Sequence, residues 1–259
     1  MKALITGAGG TLGGAMLKLL AETGDEAVCW DRSKTSPFVY EEMKNFVEKV
    51  KPDVLFHFAI ASESTGAENE SWRINYDWPG ELAWLTAQLN IKFVFTSTVM
   101  VFTDSATGPF TTNSVPDARS GYGFEKLRAE ERVRSQNSRA YIMRLGWQIG
   151  DEFTGNNMIA HFEREQTAQG FVKGSSLWCP ACSFTGDTVR EIYRLINEMP
   201  PALYMIDSNN GYDFHRIASA LSRSYNNRWK IELDDSFVYD QRMRDPNTRI
   251  PKLSDKLFF

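Results

Sequence analysis

The sequence predicts an α/β protein in which a doubly wound parallel sheet occupies the first half of the chain and a smaller, mostly helical portion follows. Three observations carry that expectation. Apolar runs of strand length alternate with helix-period patterns from the third residue onward. The apolar runs lack polar alternation, as strands do when helices cover both faces of their sheet. A loop of regularly spaced glycines joins the first strand to the first helix.

The first strand is Ala3-Leu4-Ile5, followed by a helix from about Leu12 to Glu22 and a second strand over Ala27 to Trp30. The pattern then predicts a helix over Tyr40 to Val50, a strand at Val54 to Phe58, a helix over Ile74 to Leu89 and a strand at Lys92 to Ser97. A mixed-charge helix, Glu125 to Arg134, precedes a short strand at Ala140 to Arg144. After Gly150 the rhythm weakens, and Gly, Trp, Pro and Cys crowd between Gly170 and Gly186. The expected division is therefore 1–150 for a ligand-binding α/β domain and 151–259 for a substrate-facing portion, separate from or interleaved with the first. The polar tail from Asp234 reads as irregular structure closing over the body.

Composition narrows the function classes. With 259 residues, 42% of them hydrophobic, the chain can bury a core of enzyme size. A net charge of −4 and a pI near 5.5 offer no basic surface for nucleic acid or anionic lipid, so neither is an expected partner. The longest apolar stretches, Val54 to Ala61 and Phe93 to Phe102, fall short of the roughly 20 residues that cross a bilayer. The N-terminus runs straight from Met1 into the glycine loop without a signal-peptide pattern, and a cytoplasmic location is expected. Three cysteines, Cys29, Cys179 and Cys182, are too few for a disulfide framework.

The loop Thr6-Gly7-Ala8-Gly9-Gly10-Thr11-Leu12-Gly13 lies between a strand and a helix, with a second strand beyond. In that order the pattern is a Rossmann-type dinucleotide site. Gly7 permits the tight turn, Gly10 lets the backbone approach a pyrophosphate, Gly13 lets helix and strand pack, and the helix N-terminal amides at Thr11 and Leu12 face the anion. At the end of the second strand, Asp31 would accept hydrogen bonds from the adenosine ribose, which tilts the cofactor towards NAD. The adjacent Arg32 could instead fork onto a 2′-phosphate, so NADP stays open.

Tyr122 and Lys126 are four residues apart, one helical turn, and can point into one cleft. A phenol is a weak acid–base group at neutral pH, and a neighbouring ammonium is expected to bring its pKa down into range.

Together with Lys51-Pro52-Asp53-Val54, His57-Phe58-Ala59-Ile60-Ala61, Asn75, Ser97-Thr98-Val99-Met100-Val101-Phe102 and Arg144-Leu145-Gly146-Trp147, these segments resemble the extended short-chain dehydrogenase/reductase family. Within it the sequence is most similar to the dTDP-4-dehydrorhamnose reductases, over roughly residues 1 to 190. The resemblance implies that Thr98 holds the substrate oxygen, Tyr122 donates the proton, and Lys126 binds the nicotinamide ribose. It also implies that Ala59, Ile60 and Ala61 lie along the cofactor, and that the substrate is a nucleotide-linked 4-keto-deoxysugar. An epimerase or dehydratase of the same superfamily is the enzymatic alternative. A dinucleotide-binding regulatory subunit is the non-catalytic one, and the intact Thr98, Tyr122 and Lys126 argue against it. A homodimer is compatible with the family.

Departures from the family sit at the substrate side. Val99 stands where an Asp usually follows the catalytic threonine, so Val99 is a candidate substrate neighbour, as are Trp147 and Trp178. The 31–52 segment lacks the family's acidic adenine-side motif. Trp178 to Gly186 replaces its usual Gly-x-Pro-Thr loop, and the C-terminal part is abbreviated. Cys179-Pro180-Ala181-Cys182 has redox or metal spacing, but no second ligand pair exists and no metal is expected. His57 reads as a satisfied core residue, His161 and His215 as scattered, Phe184 as a core or sugar-flanking aromatic, Asn156, Asn157 and Arg190 as surface residues, and the charges from Glu125 to Arg134, Lys126 excepted, as a solvated helix face.

Overall fold

The computed structural model describes residues 1–61 and 66–259. Six strands form one all-parallel sheet: β1 (Lys2–Thr6), β2 (Glu26–Cys29), β3 (Val54–His57), β4 (Lys92–Thr98), β5 (Tyr141–Leu145) and β6 (Leu203–Ile206). Their order across the sheet is β2-β1-β3-β4-β5-β6, so the winding direction reverses between β1 and β3. In open α/β sheets a ligand crevice lies beyond the carboxyl ends of the strands at that reversal.

The pleat assigns alternate residues to opposite faces. Ile5, Phe56 and Met143 pack against α1 (Thr11–Thr23) and α6 (Thr185–Glu198). Leu4, Leu55 and Ile142 pack against α2 (Tyr40–Val50), α3 (Trp78–Gln88) and α4 (Gly121–Gln136). A third apolar cluster joins α5 (Met158–Gln169) to α7 (Phe214–Ser224) around Phe162, Phe214 and Trp229.

Three expectations shift. Helix α3 starts at Trp78 and is preceded by a π-helical turn, Arg73–Asp77. Pro79 has no amide to donate and its ring would crowd the carbonyl of Asn75, so a wider turn admits it. Helix α4 starts at Gly121, bringing Tyr122 into its first turn; Gly123 allows this because a Cβ there would lie 1.9 Å from the Met100 carbonyl oxygen. The tail beyond Asp234 is more ordered than expected: Tyr239–Asp240 pairs with Trp178–Cys179, and Met243–Arg244 with Phe110–Thr111. The C-terminal half also supplies β6 and α6 to the central sheet and its cover.

One buried ion pair fixes α4 to the sheet. Glu130 on α4 accepts two hydrogen bonds from Arg144 on β5, Nε to Oε1 at 2.9 Å and Nη2 to Oε2 at 2.7 Å, and a third from Ser97 Oγ on β4 at 2.5 Å. Glu130 and Arg144 are 3% and 5% exposed, so the expected solvated helix face is not solvated here. Truncating one partner strands the other charge. Arg144→Met is expected to lower unfolding free energy by about 3–5 kcal/mol, and Glu130→Leu/Arg144→Met to lose clearly less than the sum of the singles. Denaturant titration reads both, and additive losses would refute the coupling.

Candidate active site

At the reversal point, Gly7 has φ +69° and lies against the segment that leaves β3, a Cβ there falling 2.7 Å from the Ala59 amide nitrogen. A Cβ on Gly13 would fall 2.1 Å from the Gly7 carbonyl oxygen, so α1 can meet the loop this closely only with glycine. Gly10 caps α1 without a side chain, and the first turn from Thr11 and Leu12 holds no acidic residue. The helix therefore presents its N-terminus uncovered by any capping side chain, the arrangement that binds phosphate. At Gly10 the crowding comes from the Gly7 carbonyl, whereas Gly9 has no neighbouring atom within 4 Å of a Cβ, so the open approach is at Gly9. Thr11 Oγ1 donates to the Asn156 carbonyl at 3.4 Å, which brings the segment before α5 beside the loop.

Ala59 donates its amide to Thr6 Oγ1 at 3.3 Å, and Ala61 to Asn75 Oδ1 at 3.1 Å; Ile60 and Ala61 are half-buried. Asp31 and Arg32 are exposed just beyond β2. Asp31 Oδ1 accepts from Ser33 N and Oγ at 2.9 and 2.7 Å, and Oδ2 lies 3.2 Å from Lys34 Nζ. These partners hold the Asp31 carboxyl below the usual carboxylate range. It is thus a charged acceptor set among cations.

Thr98 ends β4 and accepts from the Met100 amide through Oγ1 at 3.1 Å, which leaves its own proton free to donate elsewhere. Across from it, Tyr122 and Lys126 project from the first two turns of α4. Lys126 is 1% exposed; its Nζ sits 4.1 Å from the centre of the Phe95 ring and has no hydrogen-bond partner among the described residues. Burial pulls its pKa down to about 7, against opposing pulls from Glu130 and Glu125. The expected lowering of Tyr122 is not found: burial, and then the Glu125 carboxylate, push its phenol above the ordinary value. A lysine that has surrendered part of its own charge has little field to spare for its neighbour.

Val99, a candidate substrate neighbour, is 3% exposed and packed with Ala181, Met205 and Met243, which leaves it no surface for a substrate. Met100 is the open side chain beside Thr98, 51% exposed. Trp147 and Trp178 are half-buried and stacked with ring centres 6.1 Å apart, in a layer that continues through Phe214 and Phe237. Asn157, expected at the surface, is 2% exposed and caps α5, accepting from the Ala160 amide at 3.0 Å. Arg190 is exposed, and Phe184 is half-buried beneath Lys256. His57 is fully buried with Nδ1 on Thr6 Oγ1 at 2.9 Å, but Nε2 has no partner among the described residues, so it is only half satisfied. Burial raises the Cys179 and Cys182 thiols, which disfavours dithiol chemistry, and no metal-holding cluster exists among the described residues. No helix among them is long and apolar enough to cross a membrane.

The residue-level reading of the sequence missed Glu125 and Ser71. Glu125 Oε2 accepts from Ser71 Oγ at 2.7 Å and from Asn75 Nδ2 at 2.8 Å. Its position between Tyr122 and Lys126 was the available signal.

Comparison with known proteins gives a consistent picture. A family model described as the RmlD substrate binding domain matches residues 1–173. The spore coat polysaccharide biosynthesis protein SpsK of Bacillus subtilis (strain 168) is 22% identical over 223 residues, covering 85% of this chain and 78% of the relative. A dTDP-4-dehydrorhamnose reductase of Burkholderia thailandensis is 27% identical over 241 residues, covering 87% and 78%. The solved dTDP-4-dehydrorhamnose reductase of Bacillus anthracis, in complex with NADP, superposes with a TM-score of 0.84 at 18% identity, covering 98% of this chain and 96% of that one.

Buried Lys126 leaves a measurable mark on stability. Its folded pKa of about 7 lies below the unfolded value of 10.5, so the cost of burying the charge is fully present below pH 7 and diminishes as pH rises towards 10.5. Lys126→Met is therefore expected to stabilise the fold, by roughly 2–3 kcal/mol more at pH 6 than at pH 9. Denaturant unfolding at the two pH values checks this, and equal shifts would contradict it.

Proposed function

The chain belongs to the RmlD substrate binding domain family of extended short-chain dehydrogenases/reductases, and from that premise we propose that it reduces the keto group of a nucleotide-linked 4-keto-deoxysugar with a nicotinamide dinucleotide. One observation carries the reading: Lys126 holds a fully buried, unpartnered amine beside Tyr122, at the same sheet edge as the uncapped glycine loop. An unpaired buried ionisable group is costly, and vicinal ribose hydroxyls would give it partners.

The residues fit the cofactor. The backbone at Gly7 to Gly13 would take the pyrophosphate, Ala59 to Ala61 would flank it, and Lys126 would hold the nicotinamide ribose. The Asp31 carboxylate favours ribose hydroxyls over a 2′-phosphate, which supports NAD, with Arg32 and Lys34 as the residues that would accommodate NADP. A bound reduced nicotinamide supplies the hydride. Thr98 would donate a hydrogen bond to the carbonyl oxygen and hold it in line while keeping its proton, and Tyr122 would transfer the single proton to that oxygen as negative charge develops. A phenol kept above its ordinary pKa stays protonated through neutral pH, which suits a donor in the reductive direction.

Absorbance loss of NADH or NADPH with a panel of nucleotide-linked 4-keto-deoxysugars tests the proposal directly. Oxidation with one member is expected, and none despite clear dinucleotide binding would refute the reductase. Tyr122→Phe should reduce kcat by about 10²–10⁴-fold while leaving dinucleotide Kd unchanged. Asp31→Ala should weaken NADH binding more than NADPH binding; equal losses would remove Asp31 from the ribose contact.

A further inference from the structure

Glu125 does more than occupy the turn between Tyr122 and Lys126. Its carboxylate accepts from Asn75 Nδ2 at 2.8 Å and from Ser71 Oγ at 2.7 Å, and Asn75 passes the contact on, its Oδ1 accepting from the Ala61 amide at 3.1 Å. Asn75 is 1% exposed and its amide also reaches Ser71 Oγ at 3.3 Å, so the link is internal and both ends of the Asn75 side chain are committed. Asn75 sits within the π-helical turn that Pro79 imposes, and such turns often re-aim side chains at functional sites. A continuous path therefore runs from the catalytic helix, through one carboxylate and one buried amide, to the backbone segment beside Gly7.

We infer that Glu125 is a positioning residue that couples the placement of Tyr122 and Lys126 to occupancy of the dinucleotide crevice at Ala59 to Ala61. The inference rests on the reductase proposal for the meaning of that crevice. Two features support it beyond the hydrogen bonds. The link joins α4 to the loop after β3, two elements that would grip opposite parts of one dinucleotide, so tightening one end restrains the other. The Glu125 carboxylate also raises the proton affinity of both Tyr122 and Lys126. Among the described residues, the other charged or titratable groups near this pair are Glu130 on α4, paired with Arg144 on β5, and the buried His57 on β3.

Dinucleotide binding by the full chain tests the link without a sugar substrate. Glu125→Ala and Asn75→Ala should each weaken NADH or NADPH binding by about tenfold or more, the loss expected for a hydrogen bond to a charged group, and the double variant should be no weaker than either single. Glu125→Gln keeps an acceptor for Asn75 and should restore binding at pH 6. Because it lacks the charge, its affinity should begin to fall at lower pH than that of the unaltered protein. A merely structural glutamate would lower thermal stability without moving that profile. Additive losses in the double variant, or unchanged Kd in both singles, overturn the link while leaving the reductase proposal standing. Failure of the unaltered protein to bind any dinucleotide overturns the reductase proposal and the link with it.

Discussion

The Glu130–Arg144 pair sets the position of everything that α4 carries. A carboxylate and a guanidinium that are both nearly inaccessible satisfy each other only in one geometry, and the two-point contact fixes rotation of the helix as well as its distance from the sheet. Ser97 adds a third contact from β4, the strand that ends in Thr98. Lys126 lies one turn before Glu130 on the same inward face, so the clamp that fixes the helix also drives an amine into the interior. Without that clamp, nothing in the apolar surroundings of Phe95 would recommend a lysine there.

The sheet order places a second constraint at right angles to the first. Because the winding reverses between β1 and β3, their carboxyl ends open on a common crevice, and the same edge receives Thr98 from β4. Gly13 and Gly7 bring α1 against the loop at a distance that no other residue permits. The C-terminal half completes this body: β6 pairs with β5, α6 packs beside α1, and the short pairings of the tail hold Trp178 and Phe110 in place. Each of these tail pairings is only two residues long.

The legible parts of the sequence were those where local pattern and tertiary context agree. Helix α2 was delimited correctly at Tyr40–Val50, and the buried strands β3 and β4 stood out as unbroken apolar runs. Strand β6 was not recognised, since Leu203–Ile206 is four residues long and follows Pro200-Pro201, which reads as a break. The π-turn before Pro79 was hidden because it keeps helical periodicity on both sides. At the candidate site, motif spacing singled out Thr98, Tyr122 and Lys126 for proposal, but charge states depend on burial, which spacing does not report. Glu125 and Glu130 looked like members of a solvated charge run because their partners, Asn75, Ser97 and Arg144, come from other elements. Val99 was misread for the opposite reason: it follows the candidate Thr98 directly in sequence, yet it begins a short helical turn and packs into a buried cluster.

The charges around Lys126 are arranged unevenly, and that asymmetry has a chemical consequence for this extended short-chain oxidoreductase. Glu130, although engaged by Arg144, exerts the larger pull of the two carboxylates on Lys126, and Glu125, held by the neutral donors Ser71 and Asn75, exerts the smaller. Burial drives Lys126 towards neutrality, and Glu125 opposes that drive. The same carboxylate discourages ionisation of Tyr122. One negative charge thereby favours the protonated form of both neighbours, the state in which a lysine best holds ribose oxygens and a phenol can donate a proton. Glu125 thereby acts on Tyr122 and Lys126 in the same direction, although the two side chains belong to different turns of α4.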